Sequence, residues 1–370
     1  NGEIYNYIEL KNSLSGFWNF KTNSDTECIL AAYTKYGENC LDHFRGMFSF
    51  AMWDSKNQRL ICGRDRFGVK PFYYAIVDDI FYFASEAKAL LPFLNKIETN
   101  ANALSEYLTF QYTIGSKTLF EGINQLLPGH YLIIEKGKIS IKRYWDVSYE
   151  IDYEIAASSY YEKLKRLLSE SIDLHARSDV KMGAYLSGGI DSSIIFNLSK
   201  DKEIFSNIGF HGRFKDHRGY DESKFATAAA KLANGNLKMV DINAEHFREN
   251  ISKIIYHLDF PVGGPGSFPQ FMVSQLASRH VKVVLGGQGG DEIFGGYARY
   301  LIAYLEQCIK AAIDGNYNNG NFLVTIESIV PNLGILREYK PLIKSFWEKG
   351  LFESMDKRYF RLIDKSYEMR

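Results

Sequence analysis

Short apolar or alternating runs fill residues 1 to about 145, a pattern typical of β-strands. Turn residues such as Asp54–Asn57 and Asp78-Asp79 separate the runs. The runs that predict strands are Phe48–Trp53, Arg59–Cys62, Pro71–Val77 and Ile80–Ala84, with a hairpin of His130–Glu135 and Lys138–Lys142 across Lys136-Gly137. Helical periodicity marks Asp25–Tyr36, from a cap at Ser24 or Asp25 to Gly37, and Ala101–Gln111. Two or more packed sheets with flanking helices are therefore expected.

The pattern changes between Trp145 and Tyr153. Ala156–Arg177 is typical of one long amphipathic helix, with Leu168 and Ile172 on its apolar face. Strands and helices then alternate. The predicted strands are Val180–Leu186, Ile204–Phe210, Leu237–Ile242 and Val281–Leu285. The predicted helices are Ser192–Ser199, Asp221–Ala233, Ala244–Leu258, Phe268–His280 and one long helix after Asp291. Such alternation indicates parallel strands with right-handed crossovers, whose ligands bind at the carboxyl ends of the strands near a reversal of strand order.

Leu186–Ser193, with the sequence L-S-G-G-I-D-S-S, lies between a predicted strand and a predicted helix. Gly188 and Gly189 let the backbone approach phosphate oxygens, and the unpaired N–H groups of the helix start point at them. Ser187 and Ser192 add hydroxyl donors, and the Asp191 carboxylate suits Mg²⁺. The chain has no G-x-x-x-x-G-K-[ST] loop. The alternative is a Gly-Gly turn capped by Asp191.

A second glycine-rich stretch, Gly286–Glu292, directly follows the predicted strand Val281–Leu285. The sheet should bring it to the same edge as Leu186–Ser193, so that Asp291 faces Asp191 across a cleft. Two carboxylates together with phosphate oxygens make a good Mg²⁺ site. The alternative is a flexible turn beside a helix start enriched in acids.

Composition narrows the class of protein. The 370 residues, 46% of them hydrophobic, suggest two domains, and Lys+Arg and Asp+Glu are 44 each, so no nucleic-acid partner is indicated. No apolar run reaches the length of a membrane span, no signal peptide opens the chain, and the four cysteines have no C-x-x-C spacing. A cytoplasmic protein without a membrane partner is expected. The chain begins inside a strand-and-turn and ends without a stop signal, so a fragment is expected.

The ordered set of motifs resembles the glutamine-hydrolysing asparagine synthetases over nearly the whole chain. The matching segments are Asn1–Asn6, Ser24–Glu27, Arg45–Phe48, Arg64–Tyr74, Phe83–Glu86, Ser187–Ser193 and Gly287–Tyr297. The resemblance implies an α/β protein with a truncated Ntn-type α/β/β/α glutaminase sandwich over 1–147. A doubly wound parallel-sheet ATP pyrophosphatase domain over 154–370 would follow it. The small-molecule substrates would be glutamine, aspartate and ATP, and a homodimer is the assembly to test.

For the first domain, the resemblance implies that the Asn1 side chain and the Gly2 backbone form an oxyanion hole for glutamine hydrolysis. Glu3 and Asp25 would hold the α-amino group of glutamine. Without the resemblance, Asn1-Gly2 is a turn and Asp25 a helix N-cap. The nucleophile in this family is an N-terminal Cys, which this sequence lacks, and the internal Cys28, Cys40 and Cys62 are not candidates. The native start is expected upstream of Asn1. Arg64–Tyr74 is assigned to structure, as a turn at Phe67-Gly68 between strands.

For the second domain, the resemblance places ATP over Ser187, Gly188, Gly189, Asp191 and Ser192, with Leu186, Ile208, Gly209 and Gly287 at its adenine end. Mg²⁺ would be held by Asp191 and Asp291, and Tyr297 would lie near the reacting carboxylate. A carboxylate then attacks the α-phosphorus, and ammonia displaces AMP from the acyl-adenylate. Pro261–Pro269 resembles the loop before a helix that faces the nucleotide, with Ser267 as its cap.

Two departures from the family pattern leave the acceptor open. Gln288 stands where many members have Glu, and the basic residue that the family supplies further along is missing, with only Lys365 near the end. The nearest rival hypothesis is therefore an amidotransferase for a sugar acid, a peptide or an antibiotic precursor. An ATP pyrophosphatase that uses free ammonia, a non-catalytic binding protein and a dehydrogenase are weaker hypotheses. The eight histidines show no metal-ligand spacing.

Overall fold

A computed structural model describes residues 1–150, 155–216, 218–261, 264, 266–314, 329–348, 350 and 353–366. The first half holds two antiparallel sheets. Their strands are β1 (Gly2–Ile4), β2 (Gly46–Asp54), β3 (Arg59–Arg64), β4 (Tyr73–Val77), β5 (Ile80–Ala84), β6 (Ile123–Gln125), β7 (His130–Glu135) and β8 (Lys138–Arg143). One sheet has the order β1-β2-β3-β7-β8 and the other the order β5-β4-β6. The hairpin predicted across Lys136-Gly137 is confirmed.

Helices cover both outer faces of the paired sheets. Helices α1 (Tyr7–Leu14) and α2 (Asp25–Tyr36) bury apolar side chains, among them Leu14 and Ala32, against Phe48 and Ile61 of the larger sheet. Between the sheets, Cys62 and Leu132 pack with Phe72 and Tyr74. A 3₁₀ helix, Ala87–Phe93, covers the far face of the smaller sheet, and α3 (Ala101–Phe110) follows. The expected α/β/β/α sandwich is confirmed.

The second half carries a four-stranded parallel sheet. Its elements in chain order are α4 (Ala157–His175), β9 (Met182–Tyr185), α5 (Ile190–Ser199), β10 (Phe205–Arg213), α6 (Ser223–Leu232), β11 (Asn236–Asp241), α7 (Ala244–Leu258), α8 (Ser267–Ala277) and β12 (Val283–Leu285). The strand order is β11-β10-β9-β12, and each neighbouring pair is parallel. Because β10 and β11 lie on one side of β9 and β12 lies on the other, the order reverses next to β9.

Each face of this sheet has its own core, which is what a doubly wound sheet requires. On one face Phe196 of α5 and Ala226 of α6 pack against Met182 and Ala184. On the other face Val273 and Ala277 of α8 pack against Phe210. Side chains alternate between faces along a strand, so each face collects the helices of one winding direction. The predicted doubly wound parallel sheet is confirmed.

The helix predicted after Asp291 is interrupted. Helix α9 (Gly290–Phe294) is short, and Gly295 ends it in a left-handed conformation with φ +69°. Helix α10 (Ala298–Asp314) then begins, so the prediction of one continuous helix is wrong. Glycines that adopt positive φ end helices at little cost, and the periodicity of the apolar residues alone did not register this stop.

The helices near the end of the chain were not predicted. They are α11 (Leu333–Leu336), α12 (Lys340–Trp347) and α13 (Met355–Ile363), and they pack with α10 around Ile302, Cys308 and Phe346. A buried ion pair lies in this cluster, with Nε of Arg358 3.0 Å from Glu306 Oε1. Of the expected domain bounds, Val147 lies among the described residues, whereas Glu154 and Arg370 lie outside them. In the part of the chain that is described, no helix is both long and apolar enough to cross a membrane.

Asp65 builds the turn that was assigned to structure. Its buried carboxylate accepts hydrogen bonds from four main-chain N–H groups, those of Phe48, Phe67, Val69 and Lys70, at 3.0–3.2 Å. The Arg64 guanidinium donates to the carbonyl oxygens of Lys70 and Gly68, each at 2.9 Å. Two charged side chains thus replace the hydrogen bonds that this irregular segment cannot make with a sheet.

We predict that Asp65→Ala exposes this turn to solvent exchange, because four main-chain donors lose their acceptor. Hydrogen exchange over 64–74 should accelerate about a hundredfold, which corresponds to about 3 kcal/mol. Mass spectrometry of that peptide provides the measurement. The exposed Glu121→Ala is the control and should leave exchange unchanged. Equal protection in the two variants would show that Asp65 does not hold the turn.

Candidate functional site

The two glycine-rich stretches meet where the strand order reverses. Ser187–Gly189 follows β9, and Gly286–Gly290 follows β12. Strands β9 and β12 are neighbours, with Leu285 paired to Ala184, so both stretches emerge at the same carboxyl edge. A crevice at such a reversal is the usual ligand site of open parallel sheets.

Hydroxyl groups brace the first stretch from inside. The Ser192 hydroxyl lies 2.9 Å from the Ser187 hydroxyl and accepts from the Ser187 N–H at 3.2 Å. The Ser187 hydroxyl accepts from the Gly189 N–H, and the Ser193 hydroxyl donates to the Gly189 carbonyl at 2.7 Å. These bonds hold the turn at the start of α5 in one shape.

Gly188 has no room for a side chain. Its φ is +101°, and a Cβ built on it would lie 2.9 Å from both the Ala226 N and the Phe225 Cβ. The first stretch therefore packs directly on the beginning of α6. Only glycine combines this backbone conformation with this approach.

Gly287 and Gly290 pack against Asp191. A Cβ built on Gly290 would lie 2.5 Å from the Asp191 Cγ, and one built on Gly287 would lie 2.9 Å from the Asp191 Cβ and 2.8 Å from the Ser192 N. Close approach therefore accounts for two of the four glycines of the second stretch. Sequence reasoning had not linked them to packing, since the contact joins residues about 100 positions apart.

Negative charge accumulates at this edge. Burial raises the pKa of Asp191 above its ordinary value, and the charges of Asp291 and Glu292 raise it further. Asp191 and Asp291 therefore lie near each other, as expected from the sequence. Nothing in the described ranges groups three or more His, Cys, Asp or Glu side chains as a complete metal site. A hard divalent cation would fit here with two carboxylates and further oxygens from a nucleotide, and it would relieve their repulsion.

Glu292 holds Tyr297, which the break at Gly295 turns back towards α9. The Tyr297 hydroxyl donates to Glu292 Oε1 at 2.5 Å, and the Arg299 guanidinium lies 4.1 Å from the Tyr297 ring centre. The hydrogen bond to Glu292 raises the pKa of Tyr297 to about 12. The same bond lowers the pKa of Glu292. Sequence reasoning missed Glu292 and Arg299 as neighbours of Tyr297, although both lie within five residues of it.

The residues expected near adenine occupy different faces of the sheet. Leu186 is fully buried and packs with Phe196 on the side of α5, and a Cβ on Gly209 would touch Leu186 at 3.0 Å. Ile208 packs on the opposite face, towards α8. The buried His211 lies beside Leu186, with its Nδ1 2.9 Å from the Leu186 carbonyl oxygen. The Nε2 of His211 has no hydrogen-bond partner among the described residues. Sequence reasoning had treated this histidine as ordinary.

The stretch before α8 is described only in part, because Val262, Gly263 and Pro265 lie outside the described residues. Ser267 is the first residue of α8 and makes no capping hydrogen bond, and Gly266 precedes the helix as its N-cap. The expectation that Ser267 caps this helix is therefore wrong. The Gln288 Nε2 donates a hydrogen bond to the Oε1 of Gln270 on α8 at 3.4 Å.

A second acidic site lies in the first half, at β1. Asp25 Oδ2 accepts from the Ile4 N–H at 2.9 Å. Burial raises the pKa of Glu3, and the neighbouring Asp25 charge raises it further. Two carboxylates that repel each other would bind an ammonium group favourably. Ser24, and not Asp25, caps α2, so the Asp25 side chain is available to this site.

Gly2 lies against β2 with φ +124°, and a Cβ there would overlap the carbonyl oxygen of Met47. The Asn1 side-chain amide lies 3.4 Å from the Ser85 hydroxyl, which connects the Asn1–Asn6 and Phe83–Glu86 motifs. Asn1, Gly2 and Glu3 are all exposed. The structure therefore groups Asn1, Gly2, Glu3 and Asp25 at one end of the larger sheet.

The cysteines of this half are poor nucleophiles. Burial raises the pKa of Cys28 to about 11 and those of Cys40 and Cys62 to about 12. Because the thiolate is the reactive form, these thiols are inert at neutral pH. This agrees with the expectation that none of the three is a candidate.

Comparison with known proteins matches both halves. Residues 1–145 match the family described as glutamine amidotransferase domain, and 163–365 match the family described as asparagine synthase. The chain is 38% identical over 307 residues to asparagine synthetase [glutamine-hydrolyzing] 1 of Bacillus subtilis, covering 81% of this chain and 47% of that protein.

Two further relatives differ in their names. A putative asparagine synthetase [glutamine-hydrolyzing] 2 of Methanocaldococcus jannaschii is 35% identical, over 84% of this chain and 60% of that protein. Amidase chyE of Penicillium rubens is 31% identical, over 80% of this chain and 46% of that protein. The chain thus spans about half the length of the curated relatives it matches.

We predict that Asp291→Asn lowers the pKa of Asp191, because the variant removes a neighbouring negative charge. An acid whose pKa is raised by folding binds protons more tightly when folded, so wild-type stability falls as pH rises through the raised pKa. In Asp291→Asn, the loss of folding stability with rising pH should therefore be smaller than in wild type. Carboxyl ¹³C titration, assigned with Asp191→Asn, provides the measurement.

The exposed Asp201→Asn, on the loop after α5, is the control for this titration and should leave the Asp191 pKa unchanged. An Asp191 pKa that is the same in wild type and Asp291→Asn would show that the two carboxylates do not interact.

Proposed function

The chain belongs to the asparagine synthase family, and we propose that the protein uses ATP to convert a carboxylate into an amide, with glutamine as the nitrogen donor. We propose L-aspartate as the acceptor and L-asparagine, AMP and pyrophosphate as the products. The meeting of the two glycine-rich stretches around Asp191 is the observation that carries the proposal. We also propose that residues 1–147 form the glutaminase domain and residues 154–370 the ATP pyrophosphatase domain.

In the first step an oxygen of the acceptor carboxylate attacks the α-phosphorus of ATP. A bond forms between this carboxylate oxygen and the α-phosphorus. The bond between the α-phosphorus and the oxygen that joins it to the β-phosphorus breaks, so that pyrophosphate leaves with that oxygen. The main-chain N–H groups and hydroxyls of Ser187–Gly189 and Ser192, several of which bond to one another in the structure, would turn to phosphate oxygens on binding and stabilise the charge that shifts between them. Mg²⁺ bound by Asp191 and Asp291 would neutralise charge on these oxygens.

In the second step ammonia attacks the acyl carbon, AMP leaves, and the nitrogen releases one proton. The Tyr297 hydroxyl donates a hydrogen bond to Glu292, so its oxygen can still accept a hydrogen bond from another donor. An attacking ammonia, whose nitrogen gains positive charge, is such a donor. The pKa of about 12 keeps Tyr297 protonated throughout the neutral range. We propose that Tyr297 lies near the reacting carboxylate, as the family resemblance implies, and this free acceptor supports that placement.

Glutamine supplies the ammonia at the other site. We propose that Glu3 and Asp25 bind its α-ammonium group, since their mutual repulsion is relieved by a cation. The Asn1 amide and the Gly2 N–H would face the oxyanion of the tetrahedral intermediate. Water would hydrolyse the acyl-adenylate, so ammonia has to travel between the sites inside the protein.

The test is pyrophosphate release by the full-length protein with Mg-ATP, glutamine and L-aspartate. Release that depends on aspartate and produces AMP is expected, and Asp291→Asn should slow it by about 10²-fold, as for removal of one group that stabilises transition-state charge. ATP binding without turnover on aspartate would instead indicate another carboxylic acid as acceptor. Screening sugar acids and peptides in the same assay identifies that acid.

We predict that Gly290→Ala also disables this reaction, because the added methyl group would displace the Asp191 carboxylate. Mg-ATP binding, measured by calorimetry, should weaken by at least about tenfold, the loss expected when one charge-assisted interaction is misplaced. Gly334→Ala is the matched control, since a Cβ there meets no atom within 4 Å. Equal Mg-ATP affinity of the two alanine variants would argue against nucleotide binding at Asp191.

A further inference from the structure

Arg177 of the second half hydrogen-bonds to two residues of the first half, Tyr5 in the Asn1–Asn6 motif and Glu9 on α1. Its guanidinium donates to both carboxylate oxygens of Glu9, at 2.5 and 2.6 Å, and to the Tyr5 carbonyl at 2.7 Å. The Tyr5 ring packs on His175, two residues before Arg177, with ring centres 4.2 Å apart. A bidentate pair with a third hydrogen bond fixes direction as well as distance.

The position of Arg177 in the chain connects the two candidate sites. Arg177 lies between the end of α4 and the start of β9, and the far end of β9 carries Ser187 of the first glycine-rich stretch. On the other side, Tyr5 directly follows β1, which carries Gly2 and Glu3. Asp179 is close enough to Glu3 for its charge to raise the Glu3 pKa. One strand of each half therefore runs from this contact to a candidate site.

Asp259 makes a second contact between the halves. Its carboxylate accepts from the Ala87 N–H at 2.6 Å and from Lys88 Nζ at 2.9 Å, and its side chain is only 3% exposed. Asp259 ends α7 in a left-handed conformation, with φ +67°, and the chain then continues towards α8. Ala87 follows the Phe83–Glu86 motif, in which Ser85 meets Asn1. This contact therefore joins the second half to residues adjacent to the segment that contacts Asn1.

We propose that Arg177 and Asp259 are positioning residues that set the register of the glutamine site against the amide-forming site, so that ammonia released at one reaches the other. Neither side chain touches a reacting atom. Arg177 holds the segment that carries Asn1, Gly2 and Glu3 of the proposed glutamine site, and Asp259 holds the residues next to the segment in which Ser85 contacts Asn1. This inference rests on the proposed function. The two contacts hold different segments around Asn1. Together they fix an orientation of one half relative to the other that a single contact would leave free.

These contacts differ from ordinary surface ion pairs. The Arg177 side chain is 25% exposed and that of Glu9 is 56% exposed, and Arg177 makes three short hydrogen bonds to the other half. The Arg166–Glu170 pair lies within α4, spans 3.4 Å and is 66% and 46% exposed. Exposed pairs of that kind contribute little. The Arg177 contact differs because it adds a hydrogen bond to the Tyr5 carbonyl and joins the two halves, and the Asp259 carboxylate differs because it is buried, so that losing its partner leaves a charge without compensation. Arg166→Met is therefore a matched control for Arg177→Met.

The experiment compares three rates in the full-length protein: glutamate release from glutamine, pyrophosphate release with glutamine, and pyrophosphate release with ammonium chloride. For Arg177→Met we expect the glutamate and ammonium-dependent rates to stay within about twofold of wild type. Glutamate formed per pyrophosphate should rise about tenfold, the factor for losing one charge-assisted hydrogen bond. Arg177→Lys, which cannot form the bidentate pair, should give an intermediate ratio.

Asp259→Asn provides the independent variant, since it keeps the shape of the side chain and removes its charge. The same rise in glutamate per pyrophosphate is expected, and this variant decides the test if Arg177→Met does not fold. An unchanged ratio in both, or a parallel loss of the ammonium-dependent rate, would overturn the inference. A wild-type protein that releases no pyrophosphate with either nitrogen source would overturn the proposed function itself, so the two failures are distinguishable.

Discussion

The close approach of the Gly287–Gly290 backbone to Asp191 is the contact on which the crevice at the carboxyl edge of the parallel sheet depends. It requires β12 to lie beside β9, which happens only because the sheet winds in both directions from β9. It also requires that no side chain stand at 287 or 290, since a Cβ at either position would lie within 3 Å of Asp191. The topology and the two glycines are therefore one constraint, and the crevice exists because both are met.

Both candidate sites concentrate negative charge. Asp191 has Asp291 and Glu292 as neighbours, and Glu3 has Asp25. Like charges held close together lower the stability of the folded protein at neutral pH, so such groups are uncommon where packing alone is served. A cation would relieve the repulsion in each cluster. An ammonium group would suit the pair near β1, and a divalent ion shared with phosphates would suit the other.

The two halves meet through polar contacts as well as apolar ones. Phe110 and Phe360 pack edge to face with ring centres 5.5 Å apart, and the Lys365 N–H donates to the Thr109 carbonyl. Arg177 and Asp259 add directional hydrogen bonds near the glutamine-site motifs. Apolar packing holds surfaces together without fixing their register, whereas hydrogen bonds of this geometry do fix it. In the proposed function the two sites share ammonia, and that transfer requires a fixed register.

Local pattern in the sequence determined much of the fold. Helix α2 ends where Gly37 follows it, and α7 has the predicted bounds, because capping and periodicity act over a few residues. Both glycine-rich stretches and their acids were also visible in the sequence. Tertiary structure decided which glycines must be glycine, that Ser24 and not Asp25 caps α2, and that Tyr297 bonds to Glu292. It alone revealed the buried Arg358–Glu306 pair and the hold of Arg177 on Glu9, since those contacts join residues far apart in sequence and no periodicity records them.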